Sequence, residues 1–146
     1  MEAADFLPFS ALTPEEHQMT TILLVDDDSG IQSLYGKLLR EEGYEVYQAL
    51  SAAEATRHMI TRKIDLILLD INMPEVDGAV MREVIDEYDT DLKVIVSSVY
   101  PLVKQREKIS RADQYFDKSH GTEMLLSIIR EVLQKHIDGA HNVEPK

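Results

Sequence analysis

From Thr21 onward the sequence predicts an α/β domain, a five-stranded parallel sheet doubly wound with helices on both faces. Two observations carry this. Short apolar runs alternate with helical stripes as far as His136, and that alternation implies right-handed crossovers between parallel strands. The runs Ile22-Leu23-Leu24-Val25, Leu66-Ile67-Leu68-Leu69 and Val94-Ile95-Val96 are apolar without a break, as strands at the centre of a sheet covered on both faces must be.

The elements follow in order. Strand one is read at 21–26. Ser29 with Gln32 three residues on has capping-box spacing and opens a helix carrying Ile31, Leu34 and Leu38 on one face; Asp28 beside it suits a helix N-terminal cap. Gly43 after Arg40-Glu41-Glu42 reads as a left-handed stop. Strand two spans 44–49, and Ser51 with Glu54 forms a second capping box for a helix to about Arg62. Strand three is 65–70. Gly78 starts a helix carrying Val80, Met81, Val84 and Ile85, and strand four is 93–97. Residues 101–109 give a short, weakly amphipathic helix, and 113–116 a brief fifth strand. The last helix, 122–136, has Leu125, Ile128, Ile129, Val132 and Leu133 on one face.

Outside 21–136 the pattern fades. Residues 137–146 read as a polar tail too short to fold. Residues 1–20 read as an extension expected to be flexible, with Pro8, Pro14 and the apolar trio Phe6, Leu7 and Phe9. It is either a native arm that packs Phe6 and Phe9 on the domain or a start-site artefact, since Met19 stands just before strand one.

Composition narrows the function. The 146 residues are 44% hydrophobic, which suits one domain with a buried core. With 15 Lys plus Arg against 27 Asp plus Glu, the net charge of -12 repels phosphate backbones and anionic lipid. Neither direct nucleic-acid binding nor membrane binding is expected. Cys is absent, so disulfides and thiolate metal sites are excluded. No apolar run approaches the roughly 18 residues of a membrane span. The first 18 residues hold four acids and no Lys or Arg, and so lack the basic start of a secretory signal. A cytoplasmic location follows as the expectation. His17, His58, His120, His136 and His141 show no metal-ligand spacing and are expected at the surface, and the six Met are expected to pack.

The informative feature is where two apolar strands stop. Strand one ends on Asp26-Asp27-Asp28 and strand three on Asp70. In an open α/β sheet the ligand sits beyond the carboxyl ends of the strands. Carboxylates gathered there repel one another unless protons or a divalent ion are taken up. A Mg2+ (or Mn2+) site is expected.

Asp26-Asp27, Asp70, Ser98 and Lys118, each after its own strand, resemble a response-regulator receiver domain of the CheY-like superfamily. The stretch Asp70-Ile71-Asn72-Met73-Pro74 with Asp77-Gly78 is similar to that family's D-x-x-M-P-x-x-D-G loop. The resemblance covers residues 21–136. It implies a flavodoxin-like (βα)5 fold of strand order 2-1-3-4-5 and a phosphoacceptor switch of a two-component phosphorelay. Asp70 would take the phosphoryl group; Asp27, Asp26, Asp70 and the Asn72 backbone carbonyl would hold the metal. Lys118 and the Ser98 hydroxyl would meet the phosphoryl oxygens, although Ser97 is an alternative hydroxyl. Ser98 and Tyr115 would form the switch that remodels the face of helix four, strand five and helix five. Asn72 and Tyr100, each two residues beyond its partner, would tune dephosphorylation, with bulky Tyr100 shielding the acyl phosphate. The implied partners are a sensor histidine kinase or a histidine phosphotransfer protein and an output protein or domain.

Two departures from the family stand out. The segment between Ser98 and Lys118 is a couple of residues short, which predicts a reduced or displaced helix four. Ser119 stands where many members have proline. A phosphorylation-independent pseudo-receiver therefore stays open as the alternative. A haloacid-dehalogenase-type phosphatase would want a carboxylate where Asn72 stands, and a dinucleotide-binding protein would want a Gly-rich turn after strand one.

Overall fold

The computed structural model describes residues 19–73, 78–88, 91–109 and 111–141. Residues 1–18 of the 1–20 extension, the Pro74 and Asp77 of the loop motif and the last five residues lie outside them. Five strands form one parallel sheet: β1 (Thr21–Val25), β2 (Glu45–Ala49), β3 (Leu66–Leu69), β4 (Lys93–Ser98) and β5 (Gln114–Asp117), in the order β2-β1-β3-β4-β5. Five helices connect or follow them: α1 (Ser29–Glu41), α2 (Ala52–Thr61), α3 (Gly78–Tyr88), α4 (Leu102–Lys108) and α5 (Thr122–His141). The predicted fold class holds.

Strand alternation divides the core into two layers. Leu23, Val25, Ile67, Leu69, Val94 and Val96 face one side with Ala55 and Met59 of α2 and Met81 and Ile85 of α3. Ile22, Leu24, Leu66, Leu68, Ile95 and Phe116 face the other, against Tyr35 and Leu39 of α1 and Leu125, Ile129 and Val132 of α5. Each fully buried Leu or Ile contributes about 1.5–3 kcal/mol, so β1 and β3, buried along their whole length, anchor the domain. Their register pairs Val25 with Leu69, and the Asp70 N–H donates to the Val25 carbonyl at 2.9 Å. Asp26 and Asp70 are therefore neighbouring strand ends by construction.

Several local expectations change. Asp28 caps α1 as its type suggested, its carboxylate accepting from the Gly30 and Ile31 N–H groups, and the capping box read at Ser29 does not form. Gln32 takes no part in a capping box, because its side chain turns inward and donates to the carbonyls of Leu24, Asp26 and Ala49 at 3.2, 2.9 and 2.7 Å. That rotates the helix from the predicted face: Gln32, Tyr35 and Leu39 are buried, and Leu34 is 48% exposed. Gly43 does stop α1, at φ +97°. Its N–H donates to the Arg40 carbonyl and the Tyr44 N–H to that of Leu39, the paired bonds of a left-handed helix end. Ser51 accepts from the Glu54 N–H as predicted, while the Glu54 carboxylate reaches the Leu50 N–H rather than that of Ser51. Helix α4 is short, at seven residues, and α5 runs to His141, beyond the end of its apolar stripe.

β2 forms one edge of the sheet. Glu45 donates to Thr20 and Ala49 accepts from Asp26, so by alternation Val46 and Gln48 turn their backbone groups outward. Both outward carbonyls are engaged: Arg40 donates to that of Val46 at 3.2 Å, and the His58 Nε2 lies 3.0 Å from that of Gln48. This corrects the surface role expected for His58, which is half-buried between Gln48 and Arg62. Filling edge carbonyls with side chains guards a strand against pairing with another chain. Met59, Met73 and Met81 pack in the core as expected, whereas Met19 and Met124 are about half exposed, against the packing expected of them. Among the described residues no helix is long and apolar enough to cross a membrane.

Candidate functional site

Three carboxylates meet at the carboxyl end of the sheet. Asp26, Asp27 and Asp70 each offer an oxygen within 4.8 Å of the others. They differ in setting: Asp26 and Asp70 are buried, at 2% and 4% exposure, and Asp27 is exposed. Two carboxylates walled into protein and one facing solvent form a cup of hard oxygen donors open on one side. That donor chemistry fits Mg2+, which binds through a few carboxylates and keeps several waters.

Lys118 closes the cup from the turn just past β5. Its Nζ lies 2.6 Å from Asp26 Oδ2 and 3.4 Å from Asp70 Oδ2, with the lysine side chain only 11% exposed. Burial alone would pull the ammonium pKa down, but the hydrogen bond to Asp26 and the charges of Asp70 and Asp26 outweigh it and raise it. A buried cation in contact with anions is held charged. Asp117 before it caps a 3-10 turn over Lys118–His120, accepting from the Ser119 N–H at 2.9 Å and the Ser119 hydroxyl at 2.8 Å. Ser119 thereby anchors the turn that aims Lys118.

Asp70 is the perturbed acid. Burial drives its pKa up to about 6, opposed by the Asn72 N–H, which donates to Oδ1 at 2.8 Å, and by Lys118, and reinforced by the Asp26 charge. Asp26 is fixed at both oxygens, Oδ1 accepting from the Asp28 N–H at 2.9 Å and Oδ2 from Lys118. Asn72 is exposed on the loop after β3.

The second layer of predicted residues lies on β4 and β5. Ser98 is fully buried, and its Oγ accepts from the Tyr100 N–H at 3.1 Å. The neighbouring Ser97 hydroxyl is buried too and has no hydrogen-bond partner among the described residues. Tyr115 sits in the core layer of α2 and α3, its hydroxyl donating to the Ile109 carbonyl at 2.8 Å and its ring under the Arg106 guanidinium at 4.9 Å. Tyr100 is half-buried, with the Lys108 ammonium 5.0 Å from its ring centre.

Three residues near the site were not read from the sequence. Gln32 holds the β1 end that carries Asp26 and Asp27. Gln105 ties α4 to its surroundings. Tyr35, buried on α1, lies close enough to Lys118, Asp26 and Asp70 to feel their charges, although burial is the main reason its phenol pKa is raised. The available signal was a polar residue inside an i, i+3, i+7 stripe, as in 32, 35, 39 and in 102, 105, 109.

Comparison with known proteins gives a consistent family. The model of the response regulator receiver domain matches residues 22–130. The transcriptional regulatory protein PrrA of Mycobacterium leprae is 34% identical over 116 residues, 78% of this chain and 50% of that protein. Sporulation initiation phosphotransferase F of Bacillus subtilis is 33% identical over 79 residues, 54% of this chain and 64% of that protein. The chain thus spans about half the length of PrrA. Among solved structures, a CheY-like response regulator receiver domain protein of Methanospirillum hungatei superposes with a TM-score of 0.76 at 28% identity, covering 83% of this chain and 98% of that one. The response regulator TrrA of Thermotoga maritima, solved in complex with Mg2+ and beryllofluoride, gives 0.70 at 32% identity, covering 78% and 99%.

Proposed function

This chain belongs to the response regulator receiver domain family of two-component systems, and from that premise we propose that it takes a phosphoryl group from a phosphohistidine donor onto Asp70. The observation that supports this best is the meeting of Asp26, Asp27 and Asp70 under Lys118. Phosphoryl transfer to a carboxylate brings anions together, so neutralisation and positioning are most of the work.

In the proposed step an Asp70 carboxylate oxygen attacks phosphorus, and an acyl phosphate forms. The bond from phosphorus to the donor imidazole nitrogen breaks, and its electron pair stays on that nitrogen. The Asn72 N–H holds the other Asp70 oxygen and so orients the nucleophile. Lys118, free to trade Asp26 for a phosphoryl oxygen, offsets the incoming charge, and the Ser98 hydroxyl donates to a second oxygen. Asp27, Asp26, Asp70 and the Asn72 carbonyl would hold Mg2+, which supplies charge neutralisation when bound. Tyr115 then responds to the movement of Ser98 and alters the surface around α4, β5 and α5, which an output protein reads. A sensor kinase or a phosphotransfer protein is the donor, and the exchange takes place in the cytoplasm without direct contact to nucleic acid.

Intact mass after incubation with acetyl phosphate tests this. A single base-labile phosphate is expected with Mg2+ and not without it, and none on Asp70→Asn. A protein that forms neither the adduct nor a beryllofluoride complex would overturn the assignment. In the same assay Tyr100→Ala is expected to lose phosphate several-fold faster than wild type, because the ring no longer screens the acyl phosphate from water. An unchanged or slower loss would remove Tyr100 from that role.

A further inference from the structure

Gln105 lies on α4, outside the carboxylate cup, and is fully buried. Its Nε2 donates to the carbonyl of Tyr100 at 2.8 Å and to that of Phe116 at 2.9 Å. These carbonyls belong to two different parts of the site. Tyr100 is in the loop after β4, and its own N–H is held by the Ser98 hydroxyl. Phe116 is on β5, two residues before Lys118, whose ammonium meets Asp26 and Asp70. A connected path therefore runs from the Ser98 hydroxyl through the backbone of Tyr100, whose N–H and carbonyl flank its Cα, and the Gln105 carboxamide to the strand that presents Lys118.

The Gln105 Oε1 is buried with no hydrogen-bond partner among the described residues. A buried amide oxygen left unpaired is unfavourable, and a Met or Leu side chain would fill the same space without it. Packing alone does not call for glutamine at this position. Gln105 is also the only residue of α4 that is buried, so it is the helix's buried polar anchor, beside the partly buried Leu102 that packs on the core and the Tyr115 hydroxyl bond to Ile109 just past the helix end.

We propose that Gln105 is the positioning residue through which occupancy of the Asp70 site is passed to α4. This rests on the phosphoacceptor role proposed for Asp70. When Ser98 turns toward a phosphoryl group, the Tyr100 backbone follows, because its N–H is bonded to the moving oxygen. Both Gln105 hydrogens are committed, so the carboxamide either carries α4 with the loop or gives up one of its two carbonyls. In either case the short helix changes its seat on β5.

The test uses the full chain with Mg2+ and beryllofluoride as the probe. In wild type, amide exchange over residues 99–109 is expected to change by about five-fold or more on adding the probe, the lower range of measured coupling between sites. In Gln105→Met the probe is expected to bind with similar affinity while that change falls below about two-fold. An α4 response of wild-type size in Gln105→Met, or none in wild type that binds the probe, overturns the proposal. Should Gln105→Met fail to fold, the Gln105 side-chain amide resonances of wild type decide. A clear shift on adding the probe supports the role, and unmoved resonances overturn it. Wild type that neither binds beryllofluoride nor takes phosphate by intact mass instead removes the phosphoacceptor role, and the proposal with it.

Discussion

Asp70→Asn is expected to make the metal-free protein more stable at neutral pH while abolishing its capacity to take up phosphate. The stability gain follows from the direction of the Asp70 shift. The folded chain raises this carboxyl to about 6, from an ordinary value of 3.8, chiefly through burial. Between those values the folded state holds a proton that the unfolded state has released, so stability falls as pH rises through the interval and is level above it. Each pKa unit is worth about 1.4 kcal/mol. The gain for Asp70→Asn above pH 6 is therefore on the order of 2 kcal/mol. Below pH 4 the two proteins should melt alike. Mg2+ should reverse the order, stabilising wild type by mass action far more than the variant. Urea denaturation at pH 3.5, 5 and 7.5, with and without Mg2+, measures all of this. Equal stabilities at pH 7.5 without metal would show that Lys118 already neutralises Asp70.

Gln32→Leu is expected to lower stability by about 2 kcal/mol, because it strands a buried backbone carbonyl, and to weaken Mg2+ binding about ten-fold, the usual effect of losing a group that orients metal ligands. The side chain donates to the Asp26 carbonyl and to that of Ala49, which meets the Asp26 N–H as well. Ala49 keeps a donor in the variant, whereas the Asp26 carbonyl loses its side-chain partner. The Asp26-Asp27 turn then has one tie fewer to β2. Leucine fills a similar volume, so the stability loss reports hydrogen bonding rather than a cavity. Denaturant midpoints and a Mg2+ titration followed by a change in stability measure both effects. A variant that loses stability but binds Mg2+ as wild type does would mean that the turn is held by Asp28 and Lys118 alone.

Much of the site was legible because its chemistry is written in strand ends. An apolar run that stops on Asp tells both the strand and the end of the sheet on which the carboxylate emerges, and β1 and β3 do this in adjacent, registered strands. Lys118 was legible only in company. A lysine after a short strand is ordinary, and the last step to the cup is made by the 3-10 turn that Asp117 and Ser119 tie. The α1 face was misread because 31, 34, 38 and 32, 35, 39 are the same helical pattern one residue apart. Hydropathy favours the first, with its three aliphatic residues. The second wins because the Gln32 amide finds three carbonyls at the top of the sheet and Tyr35 fills the core beside them. The same reasoning removed the capping box read at Ser29: once Gln32 points inward, Asp28 is left to hold the first N–H groups of the helix.

The sequence by itself determined the five strands, their alternation with helices, the left-handed glycine at 43 and the acids that end β1 and β3, because periodicity and backbone sterics are local properties. Only the tertiary structure decided which polar side chains would be buried and what each would hold. Gln32 and Gln105, both buried, and the half-buried His58 are polar on any scale, and their roles depend on carbonyls contributed by other elements of the fold. A hydrogen bond between groups distant in sequence leaves no periodic trace, and it forms only after the sheet and its helices have brought donor and acceptor together.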